Sequence, residues 1–575
     1  MNAPLVQLGG AGGSSRHPHP LPSDWKYAVL LVLAVVAAYG PLALINDTLW
    51  DDWVVRAHAQ AGTLWELSKQ AGSREVFPLL NWFATAPPRA TVALELVLFC
   101  VMAPLIYTII RRATQWSAQE AFWAALLTAL VPLNQARFVL VTLTYACSSF
   151  CFALALVLLL SDLEAPSFKR RALSALLMAM AFTTNSFLVL AWLPPVIVAI
   201  DAWRRSDLTL SQRFGAMIRA VIRRAELLLL PPVYWAAKKI LEPTYGIYAN
   251  YNKFELDPVS ALIKTFRVVF EQFENFDYLL PPRADLPQLC IEATAAILLL
   301  GGLAMLWRLP LRMPRNEAGG SRWWIKGLML VIAVALVISA LFPYVLVGKP
   351  PRFNGLWETR NQTTLILVSG FVIVAALRLV VPRILLPVAA GVICAGFLVL
   401  DMSVTHRLLA DAIEARAISA QFKQQPSPPG TMMFVRENDR DYRTMGRFLP
   451  FYELSYLVNS RDLGFSRMAI SNREILEPST GTYPVAVTPA VIEALVKLCE
   501  AHRQHPQFGF ADFVPNGKIE TVNLVSARPR PGALEILGDA FRIAGGHAPI
   551  PSELVRIERS TAPAGESCPA PCCRG

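Results

Sequence analysis

The chain has 575 residues, of which 54% are hydrophobic and only 17% charged, whereas about a quarter of the residues of a soluble globular domain are charged. The apolar residues come in long runs, which excludes an ordinary soluble domain and points to an α-helical polytopic membrane protein. The net charge of +11 comes with no zinc-finger spacing and no nucleic-acid-binding signature; it is accounted for by Lys and Arg in short loops between apolar runs, so no nucleic-acid partner is expected.

Residues 1–24 are rich in Gly, Ser, Pro and His and read as a disordered cytoplasmic N-terminus. They lack a basic segment followed by a small-residue cleavage site, so no removable signal peptide is expected. The run Lys26 to Ile45 is long enough to span a bilayer. The first large polar loop opens immediately after it, with Asn46-Asp47-Thr48-Leu49-Trp50-Asp51-Asp52-Trp53. Asp51 and Asp52 repel each other, and nearby lipid or protein raises the cost of desolvating them. A divalent cation, a cationic ligand or a proton-transfer role offsets that cost; the alternative is a solvated loop within an aromatic belt.

Further spans are expected at 91–110, 118–135, 138–160, 172–187, 188–203, 225–241, 286–307, 325–347, 363–380 and 383–402, giving about eleven of roughly 20 residues each, some shorter. Pro194-Pro195 and Pro382-Arg383 mark breaks. Arg111-Arg112, Lys169-Arg170-Arg171, the arginines of 204–224 and the segment 308–326 fall on one side, cytoplasmic by the positive-inside rule. Loops 46–90, 134–138, 242–285 and 348–362 then lie outside, with the C-terminal region. Residues 205–224 form a basic amphipathic stretch, read as a topology anchor or as a helix on the anionic leaflet. The 242–285 loop is rich in aromatic residues (Tyr245, Tyr248, Tyr251, Phe254, Phe270, Phe273, Phe276 and Tyr278). These rings serve either sugar stacking or an interfacial helix.

The transmembrane domain is expected over 25–403. A helix and linker at 404–430 lead to an extracytoplasmic α+β domain at 431–560, and 561–575 is a disordered tail. Within the domain, Thr431–Val435 reads as a strand and Pro489–His502 as a helix. It shows no Gly-rich phosphate loop, nucleophile elbow or metal-ligand cluster. Of the nine Cys, Cys100, Cys147, Cys151, Cys290 and Cys394 lie in apolar runs and Cys499 in the predicted helix; all read as packing residues. Cys568, Cys572 and Cys573 sit in the tail, where their odd number gives no clear disulfide framework.

Beyond the acidic pair, two sets of residues carry chemistry. Arg137, Lys238, Lys239, Lys349, Arg352 and Arg360 are cations on the outer side, against the usual bias, and Arg is suited to gripping phosphate through paired hydrogen bonds. Snorkelling to the interface is the alternative for Lys238 and Lys239. Glu95 and Glu292 are acidic groups near the outer ends of spans, placed to pair with such cations, and Asn185 is a polar break near the same face. Asp47 and these three are possible supporting residues.

The layout resembles that of multi-spanning GT-C glycosyltransferases that use polyprenyl-phosphate sugars, in which an acidic pair follows the first span in the first outer loop. Protein O-mannosyltransferases and the aminoarabinose transferase of lipid A are of this kind. Asp51-Asp52 stands where their Asp-Asp or Asp-Glu stands, whereas the Trp-Trp-Asp-Tyr-Gly motif of oligosaccharyltransferases is absent. The resemblance covers residues 26–402 in layout and implies a GT-C-like fold in a bacterial-type cytoplasmic (inner) membrane. It further implies a polyprenyl-phosphate sugar donor held by the outer cations, an acceptor glycan, lipid or protein, and Asp51 or Asp52 as general base or as ligand of an optional Mg or Mn ion. Two other functions fit the composition. A polysaccharide polymerase or ligase shares the substrates, and a transporter or flippase of a lipid-linked glycan uses embedded charges along a pathway.

Overall fold

A computed structural model of the chain describes residues 24–114, 116–133, 136–205, 209–249, 253, 255–274, 280, 285–307, 309, 323–351, 357–437, 449–459, 466–475, 484, 486–504, 513–516, 518–526, 532–547 and 554–561. The expected disordered segment 1–23, most of the C-terminal tail, Arg352, Tyr251, Phe254, Phe276 and Tyr278 lie outside the described residues.

Helices α1 (Asp24–Tyr39), α5 (Pro88–Thr114), α6 (Ala118–Leu130), α7 (Leu140–Glu164), α8 (Phe168–Ala181), α9 (Leu193–Arg205), α11 (Ala225–Leu241), α13 (Leu286–Leu306), α14 (Trp323–Leu346), α15 (Thr363–Val380) and α16 (Leu386–Gln424) form the bundle. Short helices α2 (Asp52–Gln60), α3 (Leu64–Gln70) and α4 (Phe77–Thr85) fold the first polar loop, α10 (Leu210–Ile222) caps the opposite end, and α12 (Pro258–Glu274) lies in the 242–285 segment. Every expected span is helical. Among the described residues, eight segments are long and apolar enough to cross a membrane: Asp24–Leu44, Pro88–Thr114, Leu140–Glu164, Asn185–Arg204, Leu286–Leu306, Gly327–Leu346, Thr359–Val380 and Arg383–Gln424. They make this a multi-pass membrane protein. The expected spans at 118–135, 172–187 and 225–241 are α6, α8 and α11, of 13, 14 and 17 residues, or about 20–26 Å against a hydrocarbon core of about 30 Å. Helix α6 stops before Pro132, and nearly all of it is buried among α1, α5, α15 and α16.

The basic segments meet at one end. There Arg224 pairs with Asp162, Arg171 Nε donates to Glu226 Oε1 at 2.6 Å, and Arg378 Nε lies 3.3 Å from Glu120 Oε1. Helix α10 leaves Leu210, Phe214, Ile218 and Ile222 exposed along one stripe. The polar loops meet at the other end. Ala136 N donates to Thr359 Oγ1 at 3.1 Å, Tyr245 OH to Glu66 Oε1 at 2.7 Å, and Arg416 Nε to Asp47 Oδ2 at 3.1 Å. Helix α12 buries Ala261, Thr265 and Val268 and exposes Val259, Ile263, Phe266 and Phe270, the pattern of a helix lying against the bundle with one apolar face outward.

The last expected span, 383–402, and the helix expected beyond it are one continuous helix. Helix α16 continues for 39 residues, about 58 Å and nearly twice the hydrocarbon thickness. The change to polar composition there marks a change of surroundings: His406, Arg407, Glu414 and Gln421 are buried, His406 against Glu292 of α13 and Arg407 on the Leu280 carbonyl. The C-terminal unit has strands β1 (Met432–Glu437), β2 (Met468–Ser471), β3 (Ile519–Ser526) and β4 (Val555–Thr561), with helices α17 (Phe451–Val458), α18 (Pro489–Gln504) and α19 (Ala533–Ala544). The sheet order is β2-β1-β3-β4. Strand β1 runs parallel to β2 (Met432 opposite Met468) and to β3 (Met432 opposite Ile519), and β4 closes the edge antiparallel. The run Met432–Val435 is fully buried, as suits a central parallel strand covered on both faces. Helices α17 and α19 and strand β4 pack on α16, and the Arg559 guanidinium sits 5.5 Å over the Phe422 ring.

Candidate active site

The acidic pair sits at a sharp turn. Trp50 adopts φ 53° with its ring buried, a left-handed conformation that costs a non-glycine residue roughly 1–2 kcal/mol. The turn sends the two following carboxylates apart. Asp52 is buried, and its oxygens accept the amides of Leu140 (2.6 Å) and Val141 (3.0 Å), the first two residues of α7. It thus caps a helix 88 residues further along the chain. Burial pushes the Asp52 carboxyl up to about 7, against the pull of those two amides and of Arg56. Arg56 itself ties α2 to the end of α4 through the carbonyls of Ala84 (2.9 Å) and Ala86 (2.7 Å).

Asp51 has the N-cap position of α2, yet its side chain makes no cap hydrogen bond. Its Oδ1 instead accepts the Tyr452 hydroxyl at 2.7 Å, from α17 of the C-terminal unit. Beside it the Trp53 and Tyr456 rings stack at 4.9 Å and 14°. Asp47 accepts from Thr48 N (2.8 Å) and pairs with Arg416 of α16. Arg416 also holds the Asn46 carbonyl at 2.7 Å.

Glu95 and Arg137 lie behind Asp52. Glu95 is buried, accepts from Thr142 Oγ1 at 3.4 Å, and interacts electrostatically with Asp52 and Arg137. Arg137 donates to Tyr39 OH (2.9 Å) and to the Val131 carbonyl (2.8 Å), with its guanidinium 4.9 Å over the Phe99 ring. Asp401 of α16 completes this cluster beside Tyr39 and Arg137. Through these two bonds Arg137 braces the 131–139 segment, while its buried Nε makes no hydrogen bond.

Lys349 and Arg360 come together at the ends of α14 and α15. Both are half-buried. Burial, and then Arg360, push the Lys349 ammonium down to about 8, while Glu255 opposes the shift. Glu255 is held against the α14 end by its amide, 3.0 Å from the Leu346 carbonyl. Gly348, at φ +72°, allows this approach, since a Cβ there would run into the Glu255 carboxylate. Tyr344 joins the cluster through Ser186 and Thr364 and lies within electrostatic reach of Tyr145 and Arg360. Tyr145 is five residues beyond Leu140 on α7, about 8 Å along the axis. The first turns of α7 thus connect the acidic turn to the paired cations.

The remaining expected residues lie elsewhere. Lys238 pairs with Glu75 at 2.6 Å and donates to the Thr183 carbonyl at 2.8 Å, and Lys239 sits 5.0 Å over the Trp235 ring. Glu75 and Glu242 share a hydrogen bond beside Lys238, and burial, with that bond, pushes Glu242 up to about 7. Asn185 is exposed at the start of the 3-10 segment Asn185–Leu190. Glu292 takes Gln288 Nε2 at 3.1 Å and lies 2.9 Å from His406 Nε2. Among the described residues no group of three or more His, Cys, Asp or Glu is arranged to hold a metal ion. Both Asp52 oxygens accept backbone amides.

An apolar cavity of about 120 Å³ lies along the helices that carry the paired cations. Phe152, Ala153 and Leu156 of α7, Leu190 and Ile197 of the α9 segment, Met329, Ile332 and Leu336 of α14, and Leu367, Val368 and Phe371 of α15 line it, with Ile106 and Ile110 of α5. Its size is of the order of the roughly 150 Å³ apolar cavity that admits a benzene ring.

Fold and site together define a multi-pass membrane protein with an acidic turn and a cation pair at one end of the bundle, clamped by a C-terminal α/β unit. No protein-family model matches the chain, and no curated protein matches it. Among solved structures it is similar to ArnT from Cupriavidus metallidurans, crystallised bound to undecaprenyl phosphate, at 12% identity and a TM-score of 0.32, over 87% of this chain and 93% of that one.

Proposed function

We propose that the chain is an integral-membrane glycosyltransferase that moves a sugar from a polyprenyl-phosphate donor to an extracytoplasmic acceptor, a glycan, lipid or protein, with inversion. The observation that carries this reading is the half-buried Lys349–Arg360 pair placed above an apolar cavity whose walls come from the same helices. Two like charges held together in partial burial repel each other, a cost that the neighbouring Glu255 carboxylate opposes and that a phosphate anion would lower further. A lipid phosphate brings such an anion, and the cavity below is of a size to take a short stretch of its tail.

Asp51 is the proton acceptor in this reading, because Asp52 gives both oxygens to the α7 amides. Asp51 takes the proton of the acceptor hydroxyl or amine as that atom bonds to the anomeric carbon. The bond from that carbon to the phosphate oxygen breaks, and the electron pair leaves with the polyprenyl phosphate. Lys349 and Arg360 stabilise the charge that develops there, a contribution of several kcal/mol in comparable sites. The site is expected to face the extracytoplasmic side of a bacterial-type inner membrane. A transporter of lipid-linked glycans needs the same cations and cavity, so chemistry separates the two. Purified protein in liposomes, given labelled polyprenyl-phosphate sugar and a crude acceptor fraction, is expected to transfer label to acceptor and release polyprenyl phosphate. Label that crosses the bilayer still attached to its lipid overturns the transferase reading in favour of transport.

A further inference from the structure

We propose that Tyr452 of the C-terminal unit is a positioning residue for the Asp51 carboxylate, so that the catalytic site is complete only when that unit is docked on the bundle. The inference rests on Asp51 as the proton acceptor and goes beyond it by assigning the residue that holds it. An Asp at an N-cap ordinarily turns its oxygen back to the amides of its own first turn. Asp51 does not; its Oδ1 takes the Tyr452 hydroxyl at 2.7 Å. The two residues are separated by 401 positions, so the bond exists only through docking of α17 on α2.

Two neighbouring contacts fix the register of that docking. The Trp53 and Tyr456 rings stack at 4.9 Å, Tyr456 one helical turn beyond Tyr452 on α17 and Trp53 two residues beyond Asp51 on α2. Arg416 grips Asp47 and the Asn46 carbonyl just before the turn. Titratable groups on the elements packed here are Asp52, Arg56 and His58 on α2, Asp47, Arg416, Asp411 and Glu414 around α16, and Tyr452, Glu453 and Tyr456 on α17. Tyr452 donates to Asp51 directly.

A donated hydrogen bond to a carboxylate favours its charged form. Tyr452 therefore does two things for Asp51: it fixes the rotamer and favours the charged form of the carboxyl beside Asp52. The test is Tyr452→Phe in the full-length protein, with Tyr456→Phe as a control that keeps the ring stacked on Trp53. Carbodiimide labelling at Asp51, followed by mass spectrometry against pH, reports protonation of that carboxyl without turnover. Tyr452→Phe is expected to raise the labelling midpoint by roughly one pH unit. It is also expected to move the acidic limb of kcat/KM by the same amount, with donor KM unchanged, while Tyr456→Phe moves neither. An unmoved midpoint in a folded Tyr452→Phe protein overturns the proposal, as does an equal shift in Tyr456→Phe, which would assign the effect to docking alone. A midpoint that moves in Tyr452→Phe while the wild-type protein transfers no sugar sinks the transferase reading instead and reduces the bond to a structural clamp.

Discussion

Asp52 and Leu140 meet at 2.6 Å, so a carboxylate in the first polar loop sets where α7 begins. Asp52→Ala leaves the Leu140 and Val141 amides without that acceptor. Loss of a helix cap costs about 0.5–2 kcal/mol, which is expected to appear as a lower melting temperature in detergent. The pH dependence has a definite sign. Burial raises the folded-state carboxyl to about 7, above its unfolded value near 4, so the folded state holds the proton more tightly. The contribution of this group is fully present below about pH 4 and is lost as pH climbs through about 7. Melting curves between pH 4.5 and 8 should show this decline in the wild type and not in Asp52→Asn.

Asp51→Asn keeps the shape of the side chain and removes its charge. Turnover is expected to fall about 100- to 10,000-fold, the range of general-base effects, with donor binding nearly unchanged. Measuring donor binding by displacement of a fluorescent polyprenyl phosphate separates the two steps. Full turnover in this variant would return the base role to another group.

Apolar runs and loop charges made the helical bundle legible, because both follow from solvation and are local in sequence. The neighbourhood of Lys349 and Arg360 was legible for the same reason: one short polar segment holds both. What Asp51 and Asp52 each do was not legible. Their separation depends on the left-handed turn at Trp50, and their partners are Leu140, Val141 and Tyr452, far along the chain. Arg137 and Lys238 look alike as outer cations, yet one is held by Tyr39 and the other by Glu75. Asp401 was available as a signal, a lone carboxylate inside an apolar run; Tyr39 carried none, being an aromatic residue at the end of a span. The continuation of α16 past Met402 was hidden because the polar composition there marks a change of partners, with His406 on Glu292 and Arg407 on the Leu280 carbonyl, rather than an end of the helix.

Lys349 should make donor binding depend on pH. Its ammonium is pushed down to about 8 by burial and by Arg360, and only the charged form attracts a phosphate. Donor affinity is therefore expected to weaken as pH rises through about 8. The same shift makes the group's contribution to stability grow between about pH 8 and 10.5, because the folded state releases the proton first. Lys349→Arg stays charged over this range and should hold its affinity to pH 9 and beyond. Arg360→Lys should weaken donor binding at every pH, since a point charge does not replace a planar fork. An affinity that is flat from pH 7 to 10 in the wild type would remove Lys349 from the phosphate site.

Filling the cavity tests the tail slot apart from the phosphate. Ala153 lines it from α7, and Ala153→Phe projects a ring into the space a prenyl chain would take. The expected loss is modest for a physical reason. A tail leaving lipid for the slot exchanges one apolar medium for another, so what it gains is packing rather than burial from water. A packing difference of about 1 kcal/mol corresponds to roughly a five-fold change. Ala153→Phe should therefore raise KM about five- to ten-fold for a full-length polyprenyl donor. A soluble analogue with a single short prenyl unit does not reach from the cation pair to Ala153, and its KM should stay the same. Equal losses for both donors would mean that the new ring disturbs the cation pair instead, and no loss for either would place the tail outside the cavity.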